Sequence, residues 1–177
     1  MQRFTQGFYG YVVAVAVCFG LVGIFLLIAP QSREEHIPRV DYSMDIANLG
    51  RAAPYTVWAP SAPTANWVPT SSRMTTEKGT HTWRLGFATA KRAHAMLVQS
   101  DEKPADKFAS RLANSEAVVG KRDIAGATWE ERFRKDKDQR SLVRFLPDAT
   151  LIVTGTADWD ELSTLAASLK QQPKPTT

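Results

Sequence analysis

Three histidines, His36, His81 and His94, are the side chains best suited to bind a metal or move a proton. None stands in H-x-H or H-x-x-x-H spacing, and no cysteine accompanies them, so the sequence advertises no transition-metal site. His36 falls in a polar stretch. His81 and His94 lie in strand-like segments and read as ordinary polar strand residues. Asp158, Asp160 and Glu161 could gather Ca²⁺ or Mg²⁺ through their oxygens. In the first turn of a helix, however, the same carboxylates satisfy open amides and complement the helix dipole. Asp101, Glu102 and Asp106 have the same explanation. Glu130 and Glu131 are neighbours on a strand, point to opposite faces, and cannot form a glycosidase pair by themselves. The chain has no G-x-S-x-G, S-x-x-K, P-loop or G-x-G-x-x-G. Gly155 in "TGT" fits a bulge or tight corner. No catalytic residue, cofactor site or metal ligand is expected.

Tryptophan is the remaining chemically informative residue, because it joins a large apolar area to one N–H donor. Trp83 and Trp129 fall at strand starts and are expected inside. Trp58 and Trp67, in a proline-rich segment, and Trp159, at the start of a helix, are the candidate partner contacts. For each of them, packing into a core or corner is the competing reading.

The elements that must position these residues follow from periodicity and punctuation. "DYSMDIANLGRAA" (Asp41–Ala53) has a short helical pattern, with Asp41 or Ser43 as cap. Pro54, Pro60, Pro63 and Pro69 cut Pro54–Ser71 into extended pieces joined by turns. Thr82–Ala90 and Ala93–Ser100 have strand character, and Pro104–Ala113 reads as a helix with Phe108 and Leu112 on its apolar face. Thr128–Lys135, Arg140–Leu146 and Ala149–Ala157 look like antiparallel strands. Asp158–Lys170 then reads as a helix, with Asp158 at its N-cap and Glu161 completing a capping box. The two halves share an order, strand, turn, strand, acidic cap, amphipathic helix. The fold class expected is α+β: an N-terminal transmembrane helix, then an antiparallel β-sheet domain with helices packed on one face, built as two β-β-(β)-α units.

The transmembrane expectation comes from Phe8–Ala29, a run without Asp, Glu, Lys or Arg that would span roughly 33 Å as a helix. It is too long for the apolar region of a cleaved signal, and Pro30 disfavours cleavage after Ala29. Phe8, Tyr9 and Tyr11 sit where aromatic residues meet headgroups. The expected organisation is a short tail over 1–7, a transmembrane helix over 8–29, a polar stalk over 30–40, an extracytoplasmic α+β domain over 41–170 and a disordered tail over 171–177. Basic residues do not fix the orientation, since Arg3 stands against Arg33 and Arg39. A seven-residue tail before a long apolar run is how signal anchors begin, which favours an outward-facing domain. The sole cysteine, Cys18, lies in the apolar run, so the rest of the chain has no internal disulfide. Of 22 basic residues only Arg3 precedes Ala29, against 18 acidic residues that all follow it. "RFRKDKDQR" (Arg132–Arg140) mixes signs, so a nucleic-acid partner is not implied.

"VDYSMDIANLGRAAPYTVWAP" (Val40–Pro60), "NWVPTSSR" (Asn66–Arg73), "TWRLGF" (Thr82–Phe87), "ATW" (Ala127–Trp129) and "LIVTGTADWDELSTLAASL" (Leu151–Leu169) carry a resemblance across nearly the whole chain. The sequence resembles a domain-of-unknown-function family of single-pass actinobacterial membrane proteins. "APTANW" (Ala62–Trp67) stands where that family has L-P-x-G-W, so the turn there lacks its glycine. The resemblance implies an actinobacterial source and a domain outside the membrane, with no catalytic residues to carry over. The function expected is a membrane-anchored, non-enzymatic binding module of the cell envelope. Its partners would be the membrane and an envelope protein, lipid or wall component. The alternative is an envelope enzyme, or an enzyme's accessory subunit, whose site assembles from dispersed residues such as His81, His94, Asp101 and Asp158. An inward-facing domain that regulates a cytosolic partner is a third reading, set only by topology.

Overall fold

The computed structural model describes residues 4–28, 39–61 and 66–173, with side chains in the first of these stretches from 10 to 24. Two compact units divide the chain, Met1–His36 and Ile37–Thr177. The expected stalk over 30–40, His36 included, lies outside the described residues apart from Arg39 and Val40, as do tail residues 174–177 and most of the "APTANW" turn.

The first unit contains α1 (Phe4–Ile28), a helix without an acidic first turn or a basic last turn. Its exposed side chains include Tyr11, Val13, Phe19, Leu21 and Ile24, so no polar face interrupts the apolar ones. The transmembrane helix expected over 8–29 is corrected here. Among the described residues, no helix is long and apolar enough to cross a membrane.

The second unit runs α2 (Ser43–Ala52), β1 (Trp58–Pro60), β2 (Val68–Glu77), β3 (Thr80–Ala88), β4 (His94–Ser100), α3 (Ala105–Ala113), β5 (Val118–Ile124), β6 (Ala127–Arg134), β7 (Gln139–Phe145), β8 (Thr150–Gly155), α4 (Trp159–Ser168) and β9 (Leu169–Gln171). Seven strands form one sheet in the order β2-β3-β4-β8-β7-β6-β5, and β1 pairs with β9 apart from it. Every pairing is antiparallel. Lys78–Gly79 and Ala125–Gly126 close two hairpins with positive φ at both loop residues, the backbone that matches the twist of the flanking strands. The polar strand β2 replaces part of the proline-cut stretch, with Pro69 beside a bulge on the sheet edge. β5, another edge strand, had no counterpart among the sequence expectations.

Strand alternation sends residues to two buried faces. Leu85, Leu97, Val153 and Leu142 line up across β3, β4, β8 and β7. They pack in the larger core with Trp83, Trp129 and the inward residues of α4, Leu162 and Leu165. The intervening residues Val98, Ile152 and Val143 face the other way and pack with Phe108 and Ala109 of α3. The expectation of helices on one face is therefore corrected: α3 and α4 cover opposite faces. Nor does each helix close its own half, because α3 crosses onto the strands β7 and β8 of the second half. The physical reason is that β4 and β8 are apolar on both sides, and a single helical layer leaves one side wet.

Gly155, at the end of β8, stands where β4 crosses it. A Cβ there would lie 2.0 Å from the carbonyl oxygen of His94, a backbone atom that cannot rotate away. Gly155→Ala is expected to destabilise the protein by about 1–3 kcal/mol through overpacking, measured as a lowered denaturation midpoint. An unchanged midpoint would mean that the two backbones part there at no cost.

Candidate functional site

The site is built at the start of the second unit, where α2 meets the β2–β3 edge. Asp41 precedes α2, and its carboxylate accepts the N–H of Ser43 at 2.9 Å. That bond, with the Ser43 hydroxyl, holds the Asp41 carboxyl below its ordinary pKa. A polar chain locks α2 onto the sheet: the indole Nε1 of Trp83 donates to Ser72 Oγ at 3.0 Å, and the Ser72 hydroxyl donates to Asp45. The amide of Val40 donates to the carbonyl of Pro69 at 2.9 Å, which ties the incoming chain to β2. Pro69 lies opposite Phe87 in the β2–β3 register.

These anchors leave a cavity of about 540 Å³ between the first turn of α2 and the strand ends. Its walls are Tyr42, Ile46, Trp67, Pro69 and Phe87, with Arg39, Asp41 and Ser43 as its polar members. Tyr42 meets Phe87 edge-on, ring centroids 6.4 Å apart, and Trp67 lies 6.1 Å from Phe87 on another side. Such spacings are those of favourable aromatic pairs. Desolvation pushes the Tyr42 phenol pKa up, against the nearby Arg39 guanidinium. The cavity thus offers apolar and aromatic area with a few polar groups, in the size range of small-molecule sites. The lining hydroxyl with a carboxylate beside it is Ser43, next to Asp41, and the lowered pKa of Asp41 makes it a weak base.

The three expected tryptophan contacts lie in separate places. Trp67 is buried in the cavity wall. Trp58 is partly buried in β1, with the Arg144 guanidinium 5.1 Å from the ring centroid, and its Nε1 is buried without a partner among the described residues. Its backbone is held by the fully buried Gln99, whose Oε1 accepts the Trp58 N–H at 3.0 Å while Nε2 donates to Thr56 at 2.6 Å. Trp159 opens α4 against the larger core, with Arg122 5.9 Å from its centroid. Tyr42, Phe87 and Arg39 were not singled out from sequence. The parity of Trp83, Leu85 and Phe87 on one strand was the available signal for Phe87.

The residues considered for chemistry are dispersed. His81 Nδ1 lies 3.1 Å from the Thr76 hydroxyl, and it is the His81 backbone N–H that donates to Asp101, at 2.8 Å. His94 borders a small cavity with Met96, Lys137, Gln139 and Thr154. Neither ring makes a hydrogen bond to a carboxylate among the described residues. Asp158 caps α4 by accepting the Glu161 N–H at 2.8 Å, and its pKa is lowered first by Lys91 and then by that amide. Among the described residues no group of three His, Cys, Asp or Glu is placed to hold a metal ion.

A larger cavity of about 770 Å³ lies beside α3, lined by charged residues of both signs. Beneath it Arg132 is almost fully buried, and its guanidinium reaches Glu130 at 3.0 Å and Ser110 at 3.0 Å. Glu130 answers its charge, while its Nε is buried without a partner among the described residues, and the arrangement is read as a packing device for α3.

One family model, "Protein of unknown function (DUF4245)", matches residues 3–169. The chain belongs to this DUF4245 family. No curated protein matches it. The match takes in both units, from α1 to the first residue of β9, so the cavity residues of this member lie wholly inside the family's span.

Partial burial depresses the His94 pKa below its ordinary 6.5. The unfolded chain therefore binds a proton at pH values where the folded chain resists it, and stability falls as pH drops below 6.5. The melting temperature is expected to decline between pH 7 and pH 5, and more shallowly in His94→Gln. Identical slopes for the two proteins would assign the decline to other groups.

Proposed function

We propose that this DUF4245 protein is a non-enzymatic binding module of the bacterial cell envelope, held at the cell membrane with the Ile37–Thr177 unit facing away from the cytoplasm. The observation that carries the binding role is the aromatic-walled cavity of about 540 Å³. Apolar walls with few polar groups suit capture of an apolar or amphipathic envelope component and supply no reacting group. The envelope setting is supported by the all-round apolar surface of α1, since exposed apolar area of that extent marks contact with lipid or protein. The resemblance to actinobacterial membrane proteins fits the same setting. The near balance of charge after Ala29 argues against nucleic acid as partner.

Location and binding are tested separately. A reporter active only outside the cytoplasm, fused after Thr177, is expected to be active in cells, whereas activity of a cytoplasm-only reporter at that position would reverse the orientation. For the site, a neutral environment-sensitive dye is expected to bind the full-length protein. Ile46→Trp, which fills the cavity, should reduce that binding by about tenfold or more. Ser43→Trp, at its mouth, should do the same without touching the core. Undiminished dye binding in both variants, with melting temperatures unchanged, would remove the cavity from the function.

A further inference from the structure

We infer that the occupant of this cavity is a single-chain anionic amphiphile, with its tail against Tyr42, Trp67 and Phe87 and its acidic head on Arg39. The inference rests on the binding-module reading and adds the chemistry of the ligand. Two oppositely charged side chains border the cavity, and the structure treats them differently. The Asp41 carboxylate already accepts the Ser43 N–H at the start of α2. Arg39 is exposed and pairs with no carboxylate among the described residues. An exposed guanidinium presents a planar fork that takes a carboxylate or phosphate through two parallel hydrogen bonds. It borders a volume lined, apart from Asp41 and Ser43, by Val40, Tyr42, Ile46, Trp67, Pro69 and Phe87, so the same molecule needs an apolar body. About 540 Å³ suits one chain better than two.

A cationic head is the opposite possibility, since three aromatic rings and a carboxylate could hold a quaternary ammonium group. The engagement of Asp41 disfavours it: the anion such a head would need already accepts the Ser43 N–H at the start of α2.

The test titrates the full-length protein, in one nonionic detergent at fixed concentration, with four fluorescent probes on the same acyl chain. Their heads are a carboxylate, a phosphate monoester, a methyl ester and a trimethylammonium group. The detergent competes equally with all four, so the head-group contrast survives. The carboxylate or the phosphate is expected to bind at least about tenfold tighter than the ester, as a charge-assisted pair predicts. Arg39→Gln should bring both acids down to the ester's affinity, and Arg39→Lys should restore part of it. Which acid binds tighter separates a free fatty acid from a phosphorylated lipid as the source. Equal affinity for acids and ester, tighter binding of the trimethylammonium probe, or acid binding unchanged by Arg39→Gln would each overturn the anionic head. In those outcomes the cavity keeps its binding role provided that Ile46→Trp still weakens the ester. Loss of that sensitivity fails the binding module itself.

Discussion

The Ile37–Thr177 unit depends on one seam, the antiparallel pairing of β4 with β8. Residues 94–100 and 150–155 meet there at the centre of the sheet, far apart in sequence, with Ala95 opposite Gly155 and Ser100 opposite Thr150. Each half of the chain folds outward from this seam as a meander, β4-β3-β2 to one side and β8-β7-β6-β5 to the other. Neither half is a finished structure. The apolar residues of both strands alternate to both faces, so closing the seam creates two apolar surfaces at once. Because hydrophobic burial is the dominant favourable term in folding, both surfaces must be covered for the seam to hold. The small residue at Gly155 lets the backbones approach closely enough to pair.

Covering both faces explains features that would otherwise look accidental. α3 follows β4 directly yet packs over β7 and β8, because the apolar side of the seam that it must cover lies there. Its C-terminus is closed by Asn114, whose φ of 51° lets its amide reach the Ser110 carbonyl. Arg132 then lies under the edge of α3 as a buried cation tied to Glu130 and Ser110. Removing one partner of such a group leaves a charge uncompensated, which costs more than the pair contributes. On the opposite face, Gln99 plays a comparable part. Its side-chain amide replaces the missing sheet partners of Thr56 and Trp58 and seats β1 over the core.

What the sequence disclosed tracks how local each signal was. The helices over Asp158–Lys170 and Pro104–Ala113 carried capping residues and apolar spacing of their own, and α4 and α3 formed within those limits. β4, β6, β7 and β8 alternate or run apolar and were likewise visible. β2 was not, because "VPTSSRMTTE" is an edge strand with few apolar residues and a proline at its bulge. β5 was missed for the same reason, its "VVGKRDI" mixing exposed valines with charges. The side on which each helix packs was illegible, since it depends on which strands end up central, and that order is set by the seam. That this segment is helical was legible from composition, although α1 starts at Phe4 rather than at residue 8, and the inference that it crosses a bilayer does not hold for the described residues.

The same reasoning places the cavity. Near the seam every apolar side chain meets a counterpart from the neighbouring strand or helix, and the interior is close-packed. At the β2–β3 edge that supply runs out. Beside Pro69 and Met74, β2 contributes mostly hydroxyls, and among the described residues the helix at this edge is the ten-residue α2, fixed by polar links at Asp45 and Ser72. Phe87 and Trp67 carry the larger core, nearly buried, to this edge, and Tyr42 meets Phe87 edge-on. The cavity lies beside these rings, bounded by apolar walls and by the polar start of α2. Such a cavity needs no insertion or dedicated loop. It follows from a sheet whose central strands are apolar on both faces and whose edge strand is polar, with Arg39 among the residues that line it.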